Sequence, residues 1–233
     1  MEQVGTDNLF HKRKAKGPKE LSRRQPLRAS YDKVLIVCEG EKTEPLYFRE
    51  LIDHYEIHSA NVRISGDCGS DPVSVVEHGL DLYHEEKSST SGAFDRIYCV
   101  FDRDAHPNYQ QALDKAASAK PKGVIFTATS VPCFEYWLLL HFSYTTAPYS
   151  AVGGVSAGTA VLKALLAVWP EYTKASSGVF VCRLDQLEFA KANAARAFKE
   201  ANKNHTDNPT THIHELVEYL QNIKNGDPER ATK

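Results

Sequence analysis

A chain of 233 residues with 42% apolar and 25% charged side chains has the make-up of a folded globular protein with one sizeable core, or one core and an appended helical piece. It holds no apolar run near the roughly 20 residues that cross a bilayer, and no apolar stretch of the secretory kind at its N-terminus, so the expectation is a cytoplasmic protein without a membrane contact. Cys38, Cys68, Cys99, Cys133 and Cys182 are scattered and form no C-x-x-C pair, which argues against a disulfide framework and a zinc site.

The net charge of -2 is unevenly spread. Residues 1–30 carry Lys12, Arg13, Lys14, Lys16, Lys19, Arg23, Arg24 and Arg28 against Glu2, Asp7 and Glu20, which is +5 for this arm and leaves -7 for the rest. A basic arm on an acidic body is either a salt-dependent nucleic-acid contact or a solvated tail that aids solubility.

Residues 33–38 read as a strand buried on both faces, as in a parallel sheet covered by helices. The chain then meets Glu39, turns at Gly40 and enters a helix at about 44–56, with Thr43 as the expected cap and Glu44 and Pro45 in the first turn. Tyr47, Phe48, Leu51, Ile52 and Tyr55 recur there at helical spacing. Val62 and Ile64 fit a short second strand. The turn-rich stretch 66–70 leads to Asp71-Pro72, a cap and first-turn proline for a helix with the stripe Val73, Val76, Leu80 and Tyr83. Residues 85–92 read as an exposed connection.

A third strand, 96–101, is followed at once by Asp102-Arg103-Asp104. A helix at about 108–119 and a strand at 124–128 come next, and the apolar stretch 130–142 predicts a buried helix that starts near Pro132. Beyond Ser143 the pattern loosens, with Gly153, Gly154 and Gly158 ahead of a short helix through Val161–Val168. A polar-faced helix is expected from Leu184 to Asn202, with Leu187, Ala190, Ala194 and Phe198 inward. A last helix is expected to start at Asn208-Pro209-Thr210-Thr211. The division is a basic, largely structureless arm (1–30), an α/β core (31–142) and a helical extension packed on it (143–233).

Alternating strands and helices argue for βαβ units. With right-handed crossovers and strands one and three as neighbours, the sheet is four-stranded, mainly parallel, in the order 2-1-3-4. Glu39 then stands beside Asp102 and Asp104 at the carboxyl edge, where open α/β folds bind ligands. Glu44 and Glu135 are further members of this acidic group. Like charges about 4 Å apart repel by roughly 4 kcal/mol at an effective dielectric near 20, so such a cluster raises some pKa values or binds a cation. All-oxygen ligands suit Mg²⁺ or Mn²⁺, which can activate water for phosphodiester cleavage. A D-x-D after a strand also occurs in dehalogenase-type phosphatases, but those place Thr or Val two positions after the second Asp, where this chain has His106.

The strand ends V-C-E-G at 37–40 and D-R-D at 102–104 resemble those of the Toprim domain of topoisomerases, primases and overcoming-lysogenization-defect (OLD) nucleases. With C-E-G-E-K-T-E-P at 38–45, P-C-F-E-Y-W-L-L-L-H-F at 132–142 and N-P-T-T at 208–211, the chain resembles the RloB-like proteins over roughly residues 30–225. The resemblance implies a Toprim-like three-layer fold and a metal-dependent nuclease acting on DNA or RNA, tRNA included. It also implies antiphage defence beside an ABC/SMC-like ATPase encoded nearby; a homo-oligomer is left open. Glu39 matches the Toprim glutamate, a ligand or general acid/base, and Asp102 and Asp104 match the D-x-D metal ligands. Glu44 matches a second acid of the OLD-type motif, and Glu135 falls at a subfamily position. Rival readings are a dehalogenase-type phosphatase and a catalytically silent module that only binds the ATPase.

Around this group, Lys42, Lys174 and Ser70 (with Gly69) are candidates for contact with substrate phosphate, each weighed against an ordinary surface or turn residue. His141 reads as a core histidine. His205, His212 and His214 read as helix-end residues, and His212 and His214 cannot share a helical face as a zinc pair would. Arg103 reads as an exposed strand-end residue.

Overall fold

In the computed structural model, residues 31–225 are described apart from 60, 67 and 70; the basic arm and Ser70 therefore lie outside the described residues. Strand β1 (Val34–Cys38) has no exposed residue. Its side chains alternate between two apolar clusters. Val34, Ile36 and Cys38 face one that contains residues of α1 (Thr43–His54), α4 (Glu135–Leu139), α5 (Ala157–Val168), α6 (Leu187–Lys203) and α7 (Ile213–Asn222). Leu35 and Val37 face the other, with α2 (Pro72–Lys87) and α3 (Tyr109–Ser118). This alternation makes the central strand the middle of three layers.

The remaining strands are β2 (Val62–Ser65), β3 (Arg96–Asp102), β4 (Ile125–Val131) and β5 (Thr210–Thr211). They form a five-stranded sheet in the order β2-β1-β3-β4-β5. The first four strands are parallel, in the order the sequence implies, and β5 is antiparallel to β4. The fold is α/β and consistent with a Toprim-like architecture. Among the described residues no helix is long and apolar enough to cross a membrane.

Several local expectations are corrected. Asn208-Pro209-Thr210-Thr211 does not start a helix: Thr210 and Thr211 pair with Val131 and Ser130, so the stretch 143–233 supplies a strand as well as helices. β4 runs on to Val131, with β-branched Thr127, Thr129 and Val131 suited to a strand. The helix expected across 130–142 is accordingly reduced to the five residues of α4. Thr43 is the first helical residue and not the cap, a place taken by Lys42 without a side-chain bond. The hydroxyl of Thr43 instead accepts the Ala175 N–H at 3.2 Å. Asp71 does cap α2, accepting the Ser74 N–H at 3.0 Å.

The buried face of α2 is Val75, Val76, Gly79, Leu82 and Tyr83, with Val73 and Leu80 half-buried beside it. Gly79 lets the helix approach the sheet closely, since a Cβ there would stand 3.3 Å from Ile97 and 3.4 Å from Cys99. Residues 85–92 are not merely an exposed connection. α2 continues to Lys87, and Glu86, Ser91 and the Gly92 carbonyl surround the buried Lys33 ammonium. A 3₁₀ turn (Val181–Gln186) precedes α6. Phe198 is only half-buried, and Asn193 and Ala197 complete the inner face of α6.

Candidate functional site

The register Cys38↔Val100 between β1 and β3 brings both strand ends out at one edge of the sheet. Glu39 continues the ladder, donating its N–H to the Val100 carbonyl at 2.9 Å. Its Oε2 accepts the Asp102 N–H at 3.0 Å. The Asp102 carboxylate in turn accepts the Phe134 N–H at 3.0 Å, which ties β3 to the turn that enters α4. The first residue of that helix is Glu135, 3% exposed. Glu44, in the first turn of α1, is 9% exposed and folds back over Gly40. A Cβ on Gly40 would stand 2.5 Å from Glu44 Oε2, so a side chain there would push this carboxylate from its place.

Glu39, Glu44, Asp102 and Glu135 act on one another. Desolvation, then Glu44, Glu135 and Glu39, push the Asp102 carboxyl well above the usual carboxylate range, against the Phe134 N–H bond that favours its charge. Burial, followed by Glu135 and Glu39, raises Glu44 to about 7. Two nitrogen-bearing side chains face the cluster. Lys174 Nζ stands 2.7 Å from Glu135 Oε1, and the Tyr172 hydroxyl donates to the same oxygen at 3.4 Å. Partial burial would lower the Lys174 pKa, but Glu135 outweighs it and the pKa is raised. On the other flank His106 Nε2 stands 3.0 Å from Glu39 Oε1.

Asp104 differs from these acids in its surroundings. It is exposed, has a φ of 31° and donates its N–H to the Pro132 carbonyl at 2.9 Å. Its carboxylate lies by Gly158 at the start of α5.

Residues 34–220 match the RloB-like protein family. The chain belongs to this family. No curated protein and no solved structure matches the chain.

In this RloB-like protein the acids fit a hard divalent cation by their chemistry: an all-carboxylate, desolvated set whose mutual repulsion a cation relieves. Among the described residues no three His, Cys, Asp or Glu side chains stand ready-made around a point for a metal ion. Asp102, Glu44 and Glu135 would have to close on it. Beside them a cleft of about 500 Å³ opens, lined by residues 39–44 and Gly69. Lys42 is exposed on its wall, and Ser70 lies outside the described residues.

Sequence reasoning missed two groups. His106 entered only as a mismatch to phosphatases, and its place four residues past Asp102 was the available signal. Tyr172 lies two residues before the candidate Lys174 and carried no signal of its own. Three further histidines make contacts inside the fold. His141 is buried, bonds the Trp137 carbonyl through Nδ1 at 3.1 Å, and is lowered to about 4 by desolvation. His212 and His214 bond Thr129 and the Thr211 carbonyl where β5 meets α7. Arg103 is half-buried and ion-paired with Asp207 rather than simply exposed.

Proposed function

We propose that this RloB-like protein is a divalent-metal-dependent nuclease of the Toprim type, related to the OLD nucleases. It hydrolyses phosphodiester bonds in DNA or RNA (tRNA included), as an antiphage effector working with an ABC-type ATPase. The observation that carries the reading is the contact of Glu39 with the Asp102 main chain, with Glu44 and Glu135 within electrostatic reach.

In this reading Asp102, Glu44 and Glu135 hold Mg²⁺ or Mn²⁺, with Asp104 at the entrance. A bound cation supplies an activated water and charge neutralisation at the phosphate. Glu39 has both oxygens engaged by protein groups, which suits it better to proton transfer than to ligation. Lys174, 57% exposed at its side chain, and Lys42 beside the cleft are placed to meet substrate phosphates.

The test is to incubate the protein, alone and with its neighbour-encoded ATPase, with labelled DNA, labelled tRNA and a phosphatase reporter, in Mg²⁺ or EDTA. Nucleic-acid cleavage that is lost in EDTA and in Asp102→Ala supports the nuclease. Reporter turnover without cleavage supports a phosphatase. The Lys174–Glu135 ion pair, which already neutralises one acid, favours a second reading as a silent module that only binds the ATPase. Partner binding unchanged by Asp102→Ala, with no turnover in the complex, supports that module.

A further inference from the structure

We propose that His106 is a positioning residue for Glu39, holding the carboxylate at the sheet edge in one orientation. The geometry stands independently of the function, but its consequence for catalysis rests on the nuclease reading above.

His106 lies in the loop between β3 and α3. Its N–H donates to the Arg103 carbonyl at 3.0 Å and its carbonyl accepts the Tyr109 N–H at 3.4 Å, so the backbone that presents the ring is fixed at both sides. The ring nitrogen Nε2 meets Glu39 Oε1 at 3.0 Å while Oε2 takes the Asp102 N–H at 3.0 Å. One contact alone would leave the carboxylate free to turn about its last bond. Two contacts, one on each oxygen and from separate groups, remove that freedom. The pair is not a solvated surface contact, since the side chain of Glu39 is 12% and that of His106 29% exposed.

Both groups arise in the segment that carries the D-x-D acids. Asp102 contributes its main chain, and His106 contributes the ring four residues later. The segment at the end of β3 therefore orients the residue that follows β1. Asp71, the cap of α2, is held by Asn108 and Ser74 and also feels the His106 ring.

The test compares His106→Leu, His106→Asn and His106→Gln in the full chain, with its ATPase present for kinetics. Gln can place an amide N–H near the position of Nε2, whereas Asn is too short to reach Glu39. Hydrogen exchange of the Asp102 amide, followed by NMR, reports the Glu39 contact without any activity. Exchange is expected to rise about tenfold in Leu and Asn and to stay near wild type in Gln. In cleavage, kcat is expected to fall about tenfold or more in Leu and Asn with KM little changed, and Gln is expected to restore most of it.

Unchanged Asp102 exchange in Leu and Asn, or a Gln variant as loose as Leu, overturns the proposal. If Leu loses its cooperative thermal melt, Asn carries the comparison. A wild-type protein that cleaves nothing in the complex, yet shows the expected exchange pattern, overturns the nuclease reading and leaves the positioning role standing.

Discussion

The carboxylate of Glu39, one residue beyond β1, accepts the main-chain N–H of Asp102, the last residue of β3, at 3.0 Å across 63 positions of sequence. The side chain of Asp102 is thereby drawn into a desolvated space with Glu44 and Glu135, where its charge is opposed. Asp102→Asn keeps the shape and the oxygen that accepts the Phe134 N–H but removes the charge. It is expected to raise stability by about 1–3 kcal/mol at pH 8 without divalent cations, while cleavage falls about 100-fold or more. Urea midpoints and cleavage assays check the two halves. A loss of stability would mean that the charge is structurally favourable.

Glu44 holds its proton to about 7 in the folded chain, against a reference of 4.5, through desolvation first and then Glu135 and Glu39, with Lys174 opposing. Between those values the folded state binds a proton that the unfolded state has released, so this group's contribution falls as pH rises from 4.5 to 7. Glu44→Gln is therefore expected to gain on the wild type across that window, by on the order of 3 kcal/mol at its upper end. His141 works in the opposite sense. Lowered to about 4 from 6.5 by desolvation, it costs stability as pH falls through that range, so the wild-type profile is shallower than the acids alone would make it. Urea melts at several pH values, wild type against Glu44→Gln, isolate the Glu44 share.

The meeting of Glu39 with Asp102 was legible because β1 is an unbroken apolar run and the strand order follows from crossover handedness. Details that depend on tertiary partners were not. Thr43 has the chemistry of a cap, but its hydroxyl is taken by the Ala175 N–H from a distant loop. Gly79 has no apolar side chain to register in a helical stripe, yet it is where α2 meets the sheet. β5 has only two residues, too few for an alternating pattern, and its pairing depends on β4. Asp104 shares a motif with Asp102, but it is exposed and has a left-handed backbone, which the motif does not encode. The contact of His106 with Glu39 rests on a loop conformation that spacing does not encode.

Lys174 is the counter-charge that Glu135 has in the folded chain. Lys174→Met leaves a nearly fully buried carboxylate without it, with the long Tyr172 bond retained. Because the lysine is largely exposed, the loss is expected to be about 1–2 kcal/mol in EDTA, below the cost of breaking a fully buried pair. Mg²⁺ is expected to stabilise this variant more than the wild type, since the cation no longer competes with the ammonium. Thermal melts with and without Mg²⁺ measure both effects. Equal shifts in the two proteins would separate Glu135 from the cation site.

The segment that carries Lys174 is pinned to α1 by Glu50, whose two oxygens accept the Gly178 and Phe180 N–H groups, the latter at 2.9 Å. Thr43 supplies the other tie, 3.2 Å from the Ala175 nitrogen. Glu50→Ala strands two main-chain donors and is expected to cost about 1–3 kcal/mol. It should also speed hydrogen exchange across 173–180 and weaken the hold of Lys174 on Glu135. Thr43→Val removes one neutral bond and is expected to do less, about 1 kcal/mol. Exchange measured by mass spectrometry, together with Mg²⁺-dependent melts, tests the order. If Thr43→Val loosens the segment more than Glu50→Ala, the main anchor is at the N-terminus of α1 beside the cleft, and the lysine is held from the site itself.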